Sequence, residues 1–492
     1  MTPVKLKVTG SRVQVLRGNP AVAEMSCSVR DPNARFSPAY RAGAWNGMIK
    51  LYSRRDESFP AGLLERVLAA YKKKNTKVTV QDVPAFQYTP DRDCLLDIEL
   101  WDHQIEIVKT LLASPRGSCE SATGSGKSRC LALIIQKFLL EEIKPILVLV
   151  PSIFLLEQTR DVLTSSLGRD VSIGMVGDSR EELGRDIVVA TPGTLAKAVP
   201  KLILANKKTK QYRHSPEMGK WLNTVKVLLI DEVHRGAAKL TYGIGMACPA
   251  PYRYGFSGTI KLENPVDNLR IEAVTGPCRI HVTSRRLIKA GLLSVPTVYF
   301  VTDPEAFGPR LHLPPDLFQV HFDHAIIQNQ HYEKAVVLVA KRLLEAGAPP
   351  LVLSASVVHL KSLLARCNQE GVPARLLYGP TMVAQRRRVM EEMQQGQDFV
   401  VLSSKIFEEG ADFPELRAVV LAGGGKAAHK QKQKIGRGLR LKKFKSKLIV
   451  VDWAHWNFRL GLKHAKKRLS TYVTEGMRVV EVDDLTNWKP VF

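Results

Sequence analysis

The sequence predicts an α/β protein in which two tandem lobes, each a parallel sheet covered by helices, follow a small α+β domain. Beyond about residue 100, apolar strand-like runs alternate with helical patterns, the rhythm of strands joined by helical crossovers. The alternation passes through two cycles, separated by a proline-bearing stretch, 292–323, that alternates weakly and reads as a connection. Residues before 90 keep a different rhythm, short strand-like runs around one amphipathic helix. At 492 residues the chain also exceeds a single core, since about 100–200 residues per domain gives about three domains. We therefore expect a leading α+β domain at 1–95, lobes at 96–290 and 329–475, a connection at 291–328 and a tail at 476–492.

Taken in order, the leading domain has strand-like runs at 4–8, 12–16 and 77–80 and a helix at 62–74. The first lobe opens with a short strand at 117–120 that leads into a helix at 129–140. Apolar strands follow at 146–150, 186–190 and 225–230, and each ends where a sequence motif begins. Largely apolar strands of this kind suit a sheet buried on both faces. The lysine-rich stretch 201–220 resembles an insertion, either a surface loop that touches nucleic acid or an ordinary solvated loop. In the second cycle a helix runs to 344, a strand covers 351–353 and a helix runs to 368. A strand at 374–377, a helix to 393 and strands at 399–402 and 418–421 complete it.

Composition narrows the partner. Lysine and arginine number 72 against 47 acidic residues, a formal charge of +25, which points to a polyanion. Ten of these basic residues lie between Lys426 and Lys447 with no acidic residue among them, either a solvated surface or a phosphate-tracking face. No apolar run reaches the roughly 18 residues of a membrane span, and 1–10 lacks the apolar centre of a signal peptide. A cytoplasmic protein without membrane partners is expected. The seven cysteines are scattered with no C-x-x-C spacing, so neither a zinc site nor a disulfide framework is indicated.

Three strings carry the chemistry. SATGSGKS comprises Ser121, Ala122, Thr123, Gly124, Ser125, Gly126, Lys127 and Ser128, and it lies between a strand and a helix as a phosphate loop must. Gly124 and Gly126 allow backbone N–H groups to turn in around phosphates, and the helix start adds its positive end. Lys127 would reach the β and γ phosphates, and Ser128 would bind Mg²⁺. The general pattern begins with glycine where this chain has Ser121, a small residue that still permits the turn. In DEVH, a strand end delivers Asp231, expected to hold Mg²⁺, and Glu232, expected to orient and deprotonate the attacking water. His234 would relay the state of the nucleotide. QKIGRGLR places Gln433, Arg437 and Arg440 on one side of a helix. An arginine reaching the γ-phosphate from across a cleft makes hydrolysis depend on lobe closure; the alternative for both is plain backbone-phosphate binding.

These residues, taken with LWDHQ, VPSIFLLEQ, ATPGT, FSGT and EEGADFP in the same order, resemble the superfamily 2 helicases over about 100–470. The resemblance implies two RecA-like lobes, ATP and Mg²⁺ as cofactors, adenine recognition by Gln104 and nucleic-acid backbone contacts around Pro151 and Thr191. It also implies coupling through Ser257 and Thr259, and a nucleotide-proximal role for Gly410 and Asp412. Residues 35–67 are similar to the leading, DNA-binding domain of the phage UvsW-type helicases, with a half-turn at Trp45, Asn46, Gly47, Met48 and Ile49. That likeness implies branched or forked DNA as partner, with single-strand-binding or recombination proteins beside it. Trp45 is read as a nucleic-acid contact, against a packed β-turn with no ligand. Two departures, the lysine-rich 423–434 and the insertion 201–220, leave other functions open. These are an RNA helicase or duplex translocase, since no motif reads a 2′-OH, and an ATP-gated nucleic-acid clamp that separates no strands.

Overall fold

A computed structural model describes residues 3–491 except 97, 201, 203–213, 238, 312–317, 379–384, 386–387, 390, 393–394, 396, 405–416 and 425–447. The chain divides into two units, Met1–Ser121 with Gly126–Val282, and Ala122–Ser125 with Thr283–Phe492. Among the described residues no helix is long and apolar enough to cross a membrane.

The first unit opens with six short strands, β1 (Val4–Thr9), β2 (Arg12–Arg17), β3 (Ser28–Arg30), β4 (Met48–Lys50), β5 (Ser58–Pro60) and β6 (Val78–Gln81). They form a four-stranded sheet ordered β5-β2-β1-β6 and a separate β3-β4 hairpin. In β1, Val4 and Leu6 are buried while Lys5 and Lys7 face outward, the alternation of a sheet with one wet face. The helix Leu64–Lys73 covers the dry face with Leu64, Val67 and Tyr71, spaced along one side.

This small sheet does not stand alone. Its core runs on into Leu269 and Ala273 of the helix Pro265–Thr275 in the lobe that follows. A side chain on Gly62 would overlap the Glu272 carbonyl, so glycine is what lets the two backbones touch. Arg66 pairs with Glu272 at 2.6 Å, Arg279 pairs with Glu65, and the Ser11 hydroxyl donates to the Met246 carbonyl at 2.8 Å.

The lobe itself is an eight-stranded sheet of β7 (Arg116–Ser121), β8 (Ile146–Leu149), β9 (Ile173–Gly177), β10 (Arg180–Glu181), β11 (Ile187–Ala190), β12 (Val227–Asp231), β13 (Tyr252–Ser257) and β14 (Cys278–Val282). The order is β10-β9-β11-β8-β12-β13-β7-β14, and every pairing is parallel except β9 with β10. Four of these strands, β9, β10, β13 and β14, have no counterpart in the sequence reading. β13 reads as YRYGFS, too polar for a buried strand, yet Arg253 is 1% exposed. Its guanidinium donates to the carbonyls of Val274, Cys248 and Ala250, which satisfies the buried charge. The insertion 201–220, read as a surface loop, ends in the helix Pro216–Leu222, whose Met218 and Leu222 are buried.

The second unit is a seven-stranded parallel sheet of β15 (Pro296–Val301), β16 (Pro350–Leu353), β17 (Ala374–Leu377), β18 (Val400–Ser403), β19 (Ala418–Val420), β20 (Leu448–Trp453) and β21 (Arg478–Val482), ordered β17-β18-β16-β19-β20-β15-β21. The connection expected at 291–328 therefore contains a strand, β15, buried along its whole length between β20 and β21. Proline misled the reading, because Pro296 opens the strand, where a missing N–H is tolerated. The tail expected at 476–492 supplies β21 and packs Leu485 and Trp488 into the core. Beneath β20, the Asp452 carboxylate accepts from Arg468 Nε (2.8 Å) and Nη2 (2.9 Å) and from the Tyr472 hydroxyl (2.6 Å).

Candidate nucleotide site

β7 ends at Ser121, which is buried, and the helix Lys127–Leu140 begins six residues later. Gly124 (φ 89°) and Gly126 (φ 80°) take the left-handed conformations that the turn between them requires. Lys127 Nζ folds back to donate to the Ser121 carbonyl at 3.2 Å, and the Ser128 side chain is exposed beside the unpaired N–H groups of the helix start. Gln104, fully buried in the helix Asp102–Leu112, closes on the same turn. Its amide oxygen accepts the Trp101 N–H at 3.0 Å, and its amide nitrogen occupies the place a side chain on residue 126 would need. Two residues more than twenty positions apart, Gln104 and Gly126, are thus in contact, and Gly126 is required by that contact as well as by its φ.

The second half of the site lies where β12 and β13 end side by side, Asp231 opposite Phe256. The Asp231 carboxyl is pushed up to about 6, by burial first and then by the neighbouring Glu232 charge, while the Lys127 ammonium opposes the rise. Glu232 stands in the left-handed region (φ 50°), a conformation that costs a non-glycine residue about 1–2 kcal/mol. Its N–H donates to Asp231 Oδ1 at 2.9 Å. Its Oε2 lies 3.2 Å from His234 Nδ1 and 3.3 Å from Ser257 Oγ. Ser257 Oγ also lies 2.9 Å from His234 Nδ1, 2.9 Å from the Thr259 carbonyl and accepts the Thr259 N–H at 3.1 Å. One hydroxyl proton serves either Glu232 or the Thr259 carbonyl, so the site holds two alternative hydrogen-bond arrangements.

Glu120, which the sequence reading passed over, accepts the Ile260 N–H at 3.0 Å and ties the segment after Thr259 to the strand that opens the phosphate loop. A carboxylate one residue before the end of that strand was the available signal. Pro151 and Thr191 follow the adjacent strands β8 and β11, with Val150 N–H donating to the Ala190 carbonyl at 3.0 Å. They stand on the edge that carries Asp231, since β8 also pairs with β12. Trp45 is not part of this site. It sits in the β3-β4 hairpin, where its indole N–H donates to the Met48 carbonyl at 3.0 Å and its ring meets Tyr40 edge-on. Gly410, Asp412, Gln433, Arg437 and Arg440 lie outside the described residues, as do the basic residues of the 426–447 run.

Ser128 and Asp231 offer a hydroxyl and a carboxylate, a donor set that suits Mg²⁺, an ion that takes one or two protein oxygens beside those of a phosphate substrate. Among the described residues no His, Cys, Asp and Glu side chains gather as a self-sufficient metal cage.

Comparison with known proteins places this site in a family. The type III restriction enzyme res-subunit family matches residues 97–262, and the helicase conserved C-terminal domain matches residues 331–442. The chain belongs to the superfamily 2 helicases. The ATP-dependent DNA helicase uvsW of Enterobacteria phage T4 is 21% identical over 490 residues, covering 91% of this chain and 92% of that one. The protein named helicase 22 of Sulfolobus islandicus filamentous virus is 24% identical over 285 residues, 56% of this chain, which spans 50% of that relative's length. The Dbp5 structure of S. cerevisiae, bound to RNA and ADP BeF3, superposes with a TM-score of 0.54 at 17% identity, over 79% of this helicase and 91% of Dbp5. That likeness concerns the fold, and both lobes are RecA-like.

Proposed function

We propose that this helicase hydrolyses ATP to translocate on DNA and remodel branched DNA. The observation that carries the reading is the cluster in which Glu232, beside the buried Asp231, meets both His234 and Ser257. A structural carboxylate would need neither a strained backbone nor a hydroxyl with two competing acceptors.

In this reading Gln104 receives the adenine, and the N–H groups of 124–128 with Lys127 receive the phosphates. Ser128 and Asp231 hold Mg²⁺, which when bound offsets charge on the β- and γ-phosphate oxygens. Glu232 orients the attacking water and accepts its proton, and Arg437 and Arg440 stabilise the charge that develops on the γ-phosphate. When Glu232 takes up a proton, its claim on the Ser257 hydroxyl weakens, and the hydroxyl turns to the Thr259 carbonyl. His234, within reach of both, follows that exchange. Pro151 and Thr191 grip the nucleic-acid backbone on the same sheet edge. Support for DNA comes from the excess of basic residues and from the DNA helicase named among the relatives. Support for branched DNA is the likeness of 35–67 to the leading domain of the UvsW-type helicases.

Steady-state ATP hydrolysis tests the proposal, measured without nucleic acid and with single-stranded DNA, duplex, a four-way junction or RNA, with Glu232→Gln as the blank. Strongest stimulation by the junction is expected. Stimulation by RNA alone would sink the DNA reading, and hydrolysis by every form without strand separation would favour the clamp.

A further inference from the structure

The leading domain carries three aromatic residues within ten positions, Phe36, Tyr40 and Trp45, and the structure sorts them. Trp45 and Tyr40 are turned on each other, with ring centroids 6.4 Å apart and planes at 78°, and the Trp45 N–H is spent on Met48. Phe36 is the reverse case: it closes the short helical turn Ala34–Phe36 with its side chain outward and 65% exposed. The Arg35 guanidinium lies over its ring, 4.8 Å from the centroid. A lone exposed phenylalanine needs no explanation, but one backed by a guanidinium presents a flat, positively polarised surface.

The charge around it has one sign. From residue 30 to residue 55 the basic residues are Arg30, Arg35, Arg41, Lys50, Arg54 and Arg55, and the sole acid is Asp31. Glu24 neutralises Lys50 (3.2 Å) and Arg54 (2.8 Å). Arg30 donates to the Tyr40 hydroxyl at 3.1 Å, and neither it nor Arg35 nor Arg41 has an acidic partner among the described residues. Intramolecular pairing thus leaves Arg35, in the turn with Phe36, and Arg30 and Arg41, within six residues of it in the chain, uncompensated. An exposed aromatic face within unpaired guanidiniums is the chemistry of a single-strand binding platform, where a base stacks and phosphates are held beside it.

We propose that Phe36, backed by Arg35, stacks on an unpaired base of a DNA strand, with Arg30 and Arg41 holding the flanking phosphates. This rests on the reading of DNA as partner and moves the ligand-facing aromatic from Trp45 to Phe36. A duplex offers no free base face away from its ends, so the site selects the unpaired arm of a fork or junction.

Anisotropy titrations of labelled dT oligomers and of an abasic strand of equal length decide it. Phe36→Ala should weaken binding to dT about five- to a hundredfold, the range for loss of one stacked base. Binding to the abasic strand should be unchanged, and Phe36→Trp should restore dT binding. The slope of log Kd against log salt should be unaltered in Phe36→Ala and should fall in Arg41→Ala, which loses a phosphate contact. Equal weakening on both strands, or none on dT while the wild type binds, would overturn the stacking role alone. A wild-type protein that binds no oligonucleotide would overturn this proposal together with the DNA reading.

Discussion

Gly126→Ala separates what the phosphate loop does from what Gln104, proposed to receive the adenine, does. The backbone at 126 has φ 80°, and the left-handed conformation costs a residue with a side chain about 1–2 kcal/mol. The new methyl would also occupy the position of the Gln104 amide nitrogen, so Gln104 must move and its bond from the Trp101 N–H is lost, a net cost of about 0.5–1.5 kcal/mol. Together these give about 1.5–3.5 kcal/mol, or a roughly 10- to 400-fold loss of affinity if the loop relaxes away from its phosphate-binding form. Competition binding with inorganic tripolyphosphate reads the loop without the base. Gly126→Ala should weaken tripolyphosphate by about that factor, and Gln104→Ala in the same chain should recover roughly three- to tenfold, because the obstacle is gone. Gln104→Ala alone should weaken ATP but leave tripolyphosphate bound. Wild-type tripolyphosphate affinity in Gly126→Ala, or equal damage to both ligands by Gln104→Ala, would refute the placement.

Glu232→Gln keeps the side chain's size and its contacts to His234 and Ser257, so ATP should bind within about threefold of normal while kcat drops at least about 100-fold; ordinary turnover would remove Glu232 from the chemistry. Ser257→Ala takes away the hydroxyl with two acceptors, and strand separation should fall at least about tenfold further than ATP hydrolysis. Equal losses would count against coupling at Ser257. Arg440→Ala should retain ATP binding but lose stimulation by nucleic acid, since its contact forms mainly in the transition state; an unchanged stimulated rate would exclude it. Arg468→Met strands a buried carboxylate and should destabilise the second unit by about 3–5 kcal/mol in thermal melts near neutral pH. Burial pushes Asp452 up, but Arg468 and Tyr472 more than offset it and hold the carboxyl below its ordinary value. The pair's stabilisation is therefore present above the unfolded carboxylate range and lost as pH falls through the folded value. The gap between Arg468→Met and wild type should narrow on acidification, and a constant gap would show that packing, not charge, is what the substitution removes.

What the sequence made legible follows from how locally each feature is determined. The apolar strands β8, β11 and β12 and the helix of the phosphate loop announce themselves because their burial is satisfied by their own side chains. β13 did not, since Arg253 is made tolerable there by carbonyls from as far away as Val274, a long-range fact with no local trace. β15 was concealed by prolines at its start and beyond its end, and β21 by distance from any motif. Within the site, residue types were legible and conformations were not. Nothing in DEVH shows that Glu232 takes φ 50°, and nothing in LWDHQ shows that the Gln104 oxygen is spent on Trp101, leaving its nitrogen to face the loop.

The largest departure from the sequence reading concerns the leading domain, whose independence does not survive the packing. From Ser257 and Thr259 the chain passes Ile260, tied to Glu120, and reaches Asn264, whose side chain caps the helix Pro265–Thr275 by accepting the Val266 N–H at 2.9 Å. Leu269 and Ala273 of that helix lie inside the leading domain's core, and Glu272 holds Arg66 at 2.6 Å. A short run of residues therefore separates the hydroxyl that contacts Glu232 from the side chains on which the small sheet is built. A hinge between that sheet and the first lobe would have to expose Leu269 and Ala273 and open the contact at Gly62, where there is no room even for a methyl group. Close-packed interiors of this kind resist continuous deformation. The platform at Phe36 is accordingly carried by the lobe that binds the nucleotide, and a strand stacked on it would be moved by that lobe.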